Sequence, residues 1–248
     1  MTDVVAGPGP FAVAAESLVE RVFGAVDAVK ARLLDVLTTG PTHREHLQSN
    51  DLAELRPGLI EVLADHREIV VGMGMIVAPG LLPNERRRLE WWQYAPGREQ
   101  PSALQVDLNP DSLGFYDYDA AEWFSVPRRS GRRHIVGPYV DAHGTDRYLL
   151  TFTAPVEVDG TFLGVIGADV PVSRFERRLL GTWGESAVEV TIINTHGRVV
   201  MSNCAHALSG DLVSDIDPDG STVRVDLPDV PWHVRVVDRS AGLPIPPV

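Results

Sequence analysis

The centre of the sequence contains the stretch from residue 148 to residue 170, YLLTFTAPVEVDGTFLGVIGADV. Two apolar runs rich in β-forming residues, 148–157 and 162–170, flank Asp159-Gly160. An Asp-Gly pair between such runs favours the tight turn of a β-hairpin. The stretch therefore predicts two long antiparallel strands, around which the other elements can be arranged.

Short β-rich runs separated by Gly, Pro and Asp continue on both sides of this hairpin. On the N-terminal side the pattern predicts strands at 69–78, 88–94, 102–107 and 135–139, and a short helix at 117–129. On the C-terminal side it predicts a helix at 173–180 and strands at 188–194, 198–201, 223–225 and 232–237. Thr195-His196-Gly197 is expected to form the turn between the first two of these strands.

The N-terminal part of the chain has helical periodicity instead. Residues 16–37 carry apolar side chains three or four positions apart, which predicts a helix of about six turns that ends before Gly40-Pro41. A second helix is predicted at 51–66, where Pro57 is expected to break or restart it. A long helix or helix pair followed by consecutive hairpins predicts an α+β architecture with an antiparallel sheet.

The composition narrows the class of protein. The 248 residues carry a net charge of −12, which argues against a nucleic-acid surface because such a surface needs basic residues. The single cysteine, Cys204, excludes an internal disulfide bond and fits a reducing compartment. The N-terminus lacks a basic region, and no apolar run reaches the roughly 20 residues of a spanning helix. We therefore expect a cytoplasmic protein with no membrane or nucleic-acid partner.

Motifs for cofactors, metals or catalysis are weak. Gly72-Met73-Gly74 lacks the third glycine of a dinucleotide loop. His43 and His46 have the spacing of two zinc ligands but no third ligand close by. Residues 215–220 resemble the start of a calcium loop, although the closing Asp226 in place of Glu favours an acidic turn. No cofactor, metal or catalytic residue is predicted.

Aromatic and acidic residues cluster between residues 91 and 169, and four motifs follow one another within this segment. They are Glu122-Trp123-Phe124, Gly137-Pro138-Tyr139-Val140-Asp141, Thr153-Ala154-Pro155-Val156 and Phe162-Leu163-Gly164-Val165-Ile166-Gly167-Ala168-Asp169-Val170. In this order and spacing they resemble the ligand-binding module of Cache domains, the PAS-like (PDC) sensor domains of bacterial chemoreceptors and histidine kinases. The resemblance implies the Cache/PDC fold and a small-molecule pocket.

The resemblance also implies which residues form that pocket. In the family, the helix carrying the Trp lies across the pocket mouth, while a Tyr and two Asp side chains project from the sheet. The residues that match are Trp123, Tyr139, Asp141 and Asp169, with Tyr116 at the position of an aromatic residue and Phe124 at the position of a Tyr.

Ala121 departs from the family pattern. Amino-acid sensors of the family have an Arg at this position, two residues before the Trp, and its guanidinium binds the carboxylate of the ligand. The two acids that would bind an ammonium group are retained, so the sequence predicts an amine that lacks a carboxylate. An arginine from elsewhere, such as Arg86, Arg128 or Arg133, would restore carboxylate binding.

The resemblance implies four segments along the chain: a helical lead-in (1–66), a Cache module (67–180), C-terminal strands (181–240) and a tail (241–248). The C-terminal strands are expected either to form a reduced second module or to complete the first sheet. The predicted function is a stand-alone, non-enzymatic sensor that binds a small cationic amine or an amino-acid-like metabolite and signals to an unidentified partner. A homodimer is also expected, because the apolar stripe of residues 16–37 is longer than a small sheet would cover. The alternatives are an enzyme acting on a small amine, with Asp141 or Asp169 as general base, and an assembly module with a vestigial pocket.

Overall fold

The structure is a computed structural model that describes residues 9–39, 49–142, 144–184, 188–213, 222–227 and 230–238. The chain divides into two units. One is Glu20–Pro171, and the other consists of the described residues of Met1–Val19 and Val172–Val248. The histidine pair His43/His46, the acidic turn at 215–220 and the tail at 241–248 lie outside the described residues.

The unit Glu20–Pro171 contains an antiparallel sheet of six strands. In chain order these are β1 (Gly72–Val77), β2 (Leu89–Gln93), β3 (Ser102–Ala103), β4 (His134–Val140), β5 (Tyr148–Val158) and β6 (Thr161–Pro171). Their spatial order is β3-β2-β1-β6-β5-β4. The predicted hairpin is confirmed: Val158 pairs with Thr161, and Asp159 and Gly160 adopt φ values of 49° and 76° in the turn between β5 and β6.

Two helices precede this sheet, α1 (Gly9–Thr39) and α2 (Ser49–Asp65). The apolar stripe of α1 within this unit is buried inside the chain as far as Leu33, and Phe23 packs edge-on against Phe152 of β5 at 5.3 Å between ring centroids. The expectation that Pro57 interrupts α2 is wrong, because the helix continues through it. Burial of Leu55, Leu59 and Leu63 along one face outweighs the single hydrogen bond that the proline lacks.

The second unit contains a four-stranded antiparallel sheet of its own. A helix, α4 (Val172–Trp183), leads to β7 (Val188–Asn194), β8 (Val199–Ser202), β9 (Thr222–Asp226) and β10 (Trp232–Asp238), in the spatial order β8-β7-β10-β9. Phe175 of α4 packs against Trp232 of β10, with ring centroids 5.7 Å apart. The C-terminal strands therefore do not add to the first sheet.

Several predicted elements have different bounds in the structure; α1, for example, begins at Gly9 and not at residue 16. The strand expected at 102–107 ends at residue 103, after which Leu104 and Leu108 pack as loop residues against the core. The helix expected at 117–129 is α3 (Glu122–Ser130), because residues 116–121 form tight turns. Helices followed by antiparallel sheets confirm the α+β fold class. None of the described helices is long and apolar enough to span a membrane.

Candidate ligand-binding pocket

A cavity lies over one face of the six-stranded sheet. It contains about 330 Å³ of space, part of it open to solvent. Its walls combine apolar and aromatic side chains with two carboxylates and a hydroxyl. The lining residues are Ile76, Leu89, Trp91, Leu104, Tyr116, Trp123, Tyr139, Asp141, Thr151 and Asp169. This set contains no cationic side chain.

Asp169 is a buried carboxylate in the lining of the cavity. It lies on β6 opposite Thr151 of β5, and paired residues of antiparallel strands point to the same face of a sheet. The Thr151 hydroxyl donates to Oδ1 of Asp169 at 2.7 Å and lies 2.9 Å from the Tyr139 hydroxyl. Because a threonine hydroxyl has one proton, Tyr139 must donate to Thr151 when Asp169 is ionised. The three side chains therefore form a hydrogen-bonded relay that ends at the carboxylate.

A shift in strand register turns Tyr139 towards this relay. Val136 of β4 pairs with Thr151, whereas Tyr139 pairs with Leu149, so β4 contains one extra residue between the two pairs. In a regular strand, Val136 and a residue three positions later would point to opposite faces. The extra residue places both on the cavity side.

Asp141 follows β4 directly and is held by the turn that comes after it. The Thr145 amide donates to Oδ2 of Asp141 at 2.7 Å, and the Tyr116 hydroxyl lies 3.5 Å from Oδ1. The Asp141 residue is only 8% exposed. Its carboxylate therefore lines the cavity and is largely shielded from solvent.

The helix α3 supplies the aromatic cover. It packs against β4, β5 and β6. Its residue Trp123 is 7% exposed and stacks on Tyr116, with ring centroids 6.4 Å apart and planes at 27°. Two aromatic faces thus lie next to the carboxylates.

The structure does not place Phe124 among the lining residues, contrary to the expectation from the sequence. Phe124 is completely buried in the adjoining core, against Tyr118 at 5.4 Å and Phe162 at 5.6 Å between ring centroids. Consecutive helical residues point about 100° apart, so Trp123 and Phe124 face different surroundings.

Burial controls the protonation of the polar groups. Desolvation raises the pKa of Asp169 to about 7, and the negative charge of Asp141 adds to this, whereas the Thr151 hydrogen bond and Arg147 act in the opposite direction. Burial, followed by the nearby carboxylates, also raises the pKa of Tyr116 and of Tyr139. Both phenols are therefore neutral hydrogen-bond donors at physiological pH.

Sequence analysis missed Trp91 and Thr151. The Trp91 ring packs against two glycines. A side-chain Cβ added to Gly72 would lie 2.8 Å from the indole Nε1, and one added to Gly167 would lie 3.3 Å from the far side of the ring. Alternation along each strand indicates only which positions share a face; the pairings of Thr151 with Asp169 and of Trp91 with Gly74 appear only in the folded sheet.

The arginines near the cavity also differ from those that were expected. Arg128 pairs with Asp119 at 2.9 Å, Arg133 pairs with Glu20, and Arg86 is exposed. None of the three lines the cavity.

Arg147 is the arginine whose charge acts on Asp169. Its guanidinium donates to the backbone oxygen of Tyr94 at 2.6 Å. In the described parts of the chain, no three His, Cys, Asp or Glu side chains come together as metal ligands.

Comparison with known proteins agrees with this architecture. Residues 60–177 match the family described as "Methyl-accepting chemotaxis protein-like, first PDC sensor domain". The methyl-accepting chemotaxis protein TlpQ of Pseudomonas aeruginosa is 33% identical over 102 residues, which are 40% of this chain and 14% of TlpQ. The chain thus spans a small part of that relative.

Two solved structures share the fold. The methyl-accepting chemotaxis protein X has a TM-score of 0.61 at 18% identity, over 90% of this chain and 94% of its own. The ligand-binding domain of the Pseudomonas aeruginosa PAO1 amino acid chemoreceptor PctC, in complex with GABA, has a TM-score of 0.56 at 17% identity, over 92% of this chain and 96% of its own. The match over residues 60–177 and the shared fold confirm the PDC sensor domain of the Cache type that the resemblance in the sequence implied.

Proposed function

We propose that the pocket binds a small organic amine and that its occupancy is passed to a signalling partner. The observation that carries this proposal is the pair of buried carboxylates, Asp141 and Asp169, in a cavity whose lining contains no cationic side chain. A buried carboxylate is stabilised by a cation that enters with matching hydrogen bonds. An ammonium group supplies both the charge and three donors.

The aromatic walls favour the same ligand. A cation over an aromatic face gains about 0.5–2 kcal/mol, and more of this when water is excluded. The stacked pair Tyr116 and Trp123 lies beside the two carboxylates. An alkyl chain on the ammonium would contact the apolar residues Ile76, Leu89 and Leu104.

A carboxylate on the ligand is disfavoured. Ala121 is the residue before α3 and packs against the core, and it has no charged group to offer. An unpaired buried carboxylate costs several kcal/mol. The GABA bound by PctC has both an ammonium and a carboxylate group. We propose that the pocket of this protein binds an ammonium group but not a carboxylate.

Calorimetry on matched pairs tests the proposal. The pairs are n-butylamine with norvaline and isobutylamine with valine, in which the members differ only by the carboxylate. We expect the amine of each pair to bind at least about tenfold more tightly, a difference of about 1.4 kcal/mol. At about 100 times its dissociation constant it should stabilise the fold by about 2.7 kcal/mol, a melting shift on the order of 5–10 °C. Tighter binding of both amino acids would overturn the amine proposal.

The pKa of about 7 for Asp169 and its relay to Tyr139 also suit a general base, so an enzyme acting on a small amine is the second candidate. The same titrations, followed by NMR of the ligand, separate the two functions. A new product supports the enzyme, binding without a product supports the sensor, and no binding at all supports an assembly module.

The signalling partner, a cytoplasmic location and a homodimer stay predictions. The sequence argument for the dimer no longer holds, because Val22, Val26, Val29 and Leu33 are buried within the chain itself. Light scattering of the purified protein, with and without n-butylamine, measures its assembly state.

A further inference from the structure

The indole of Trp91 is the starting point. Trp91 is 6% exposed and lines the cavity, yet its Nε1 has no hydrogen-bond partner within the described ranges of the chain. A buried donor that is left unpaired costs about 1–3 kcal/mol. Buried tryptophans usually meet an acceptor for this reason.

The position of this N–H relative to Asp169 is fixed by the sheet. The Nε1 edge of the ring lies over Gly72, and Gly72 is paired directly with Asp169 across β1 and β6. Paired residues of antiparallel strands have their Cα atoms about 4.5–5.5 Å apart. The unpaired donor and the buried carboxylate are therefore neighbours on the same face.

The indole N–H of the adjacent residue, Trp92, has an acceptor. Trp92 points to the other face of the sheet, and its Nε1 donates to Glu90 at 2.9 Å. Gln93 returns to the cavity face, and its Oε1 is likewise buried without a partner in the described part of the chain. The unpaired groups of β2 are thus on the cavity side.

We infer that the ligand of this pocket carries, in addition to its ammonium group, a neutral hydrogen-bond acceptor such as an ether, hydroxyl or amide oxygen, which accepts from Trp91 Nε1. This inference rests on the proposed amine function. The acceptor is neutral because a carboxylate at this position would face Asp169. Because the indole N–H and the carboxylate are neighbours, we infer an oxygen two or three carbons from the nitrogen.

Two ether-containing amines and their carbon isosteres test the inference. The pairs are 2-methoxyethylamine with n-butylamine and 3-methoxypropylamine with n-pentylamine, each titrated into the parent, Trp91→Phe and Trp92→Phe. An ether oxygen accepts but does not donate, so each pair isolates the acceptor. The ratio of affinities within a pair is compared between proteins, which cancels the different hydration of the two ligands.

We expect the parent to bind one ether more tightly than its carbon isostere. In Trp91→Phe this ratio of affinities should fall about 3- to 10-fold, which is the size of one hydrogen bond. Trp92→Phe should retain the parent ratio. Ratios that Trp91→Phe leaves unchanged in both pairs, while the amines bind, would overturn the inference and leave the amine function intact. If none of the four amines binds the parent, the amine function fails and the inference fails with it.

A second measurement covers the case in which Trp91→Phe does not fold. The indole N–H resonance of Trp91 in the parent is assigned by its proximity to the Gly72 α-protons. A hydrogen bond to the ether should move this resonance downfield relative to the carbon isostere. Identical positions in both complexes of each pair would count against the contact.

Discussion

Asp169 and Glu90 are two buried carboxylates on opposite faces of one sheet, and their surroundings differ in almost every respect. Glu90 accepts from Arg56 at 2.8 Å, from Trp92 at 2.9 Å and from Arg88 at 3.1 Å. Asp169 accepts from one neutral hydroxyl and faces a cavity. One carboxylate is saturated by the protein, and the other retains capacity to accept from a ligand.

The pKa values follow this difference. Burial acts to raise the pKa of Glu90, but the hydrogen bonds from Arg56, Trp92 and Arg88 outweigh it and the pKa is lowered. For Asp169 burial prevails, and the pKa rises to about 7. The ionised form of Glu90 therefore stabilises the fold, whereas the ionised form of Asp169 destabilises it until a cation binds. Such unfavourable burial is typical of a functional site.

The largest expected effect is on binding. Asp169→Asn should weaken n-butylamine by about 2–5 kcal/mol, or roughly 30- to 5000-fold, because it removes the charge that the ammonium faces. Glu90→Gln, on the opposite face, should leave the affinity within about twofold. Calorimetry on both variants measures this, with melting curves to verify folding. Equal affinity in Asp169→Asn and the parent would show that the cation binds elsewhere.

The same two variants should change ligand-free stability in opposite directions. The pKa of Asp169 is raised in the folded protein, so the fold is favoured while this side chain is protonated. That contribution to stability is complete below about pH 4 and is lost as the pH rises to about 7. Asp169→Asn should therefore be more stable than the parent by about 2–4 kcal/mol at pH 8, and by less at pH 5. A melting temperature at pH 8 below that of the parent would contradict this.

For Glu90 the sign is reversed. Its folded pKa is lowered, so its contribution is present above the ordinary pKa of Glu and is lost as the pH falls through the folded value. Glu90→Gln should lose about 1–3 kcal/mol at neutral pH, because two partly exposed arginines lose their partner. Chemical unfolding at pH 7 and pH 4 should give a smaller loss at pH 4. An equal loss at both pH values would mean that packing, and not charge, is affected.

Ligand affinity should depend on pH through Asp169. The ammonium needs the ionised carboxylate, so n-butylamine should bind about tenfold more weakly for each pH unit below 7. The slope should persist in Glu90→Gln and be absent from any residual binding by Asp169→Asn. Affinity that is constant between pH 5 and pH 8 would exclude protonation of Asp169 as a competitor of the ligand.

The smallest expected effect concerns two tyrosines. Tyr139→Phe removes the donor to Thr151 and should weaken n-butylamine about 3- to 10-fold. Tyr118→Phe is the matched control, because its hydroxyl donates to the backbone oxygen of Val77 at 2.8 Å and does not line the cavity. It should lower stability and leave affinity unchanged. A loss of affinity in both variants would indicate a general loosening of the aromatic core.

The sequence determined the local parts of this protein. Alternation and the Asp159-Gly160 turn predicted the central hairpin, and helical periodicity predicted α1. The motifs pointed to Tyr116, Trp123, Tyr139, Asp141 and Asp169, which do line one cavity. The hairpin and the helix are set by neighbours within a few residues, so a single sequence contains them, whereas the pocket residues were implied by the resemblance to Cache domains.

The tertiary structure decided the rest. The register shift in β4 selects the face of Tyr139, and the rotation of α3 directs Phe124 into the core instead of the cavity. The pairings of β1 place Asp169 opposite Gly72 and Trp91 opposite Gly74, so that the Trp91 ring lies over Gly72 beside Asp169. Such relations depend on partners far away in the chain, and a one-residue change in register reverses the face to which a side chain points. Local conformational preferences do not depend on these distant partners. Only the packed sheet therefore establishes which polar groups remain unpaired.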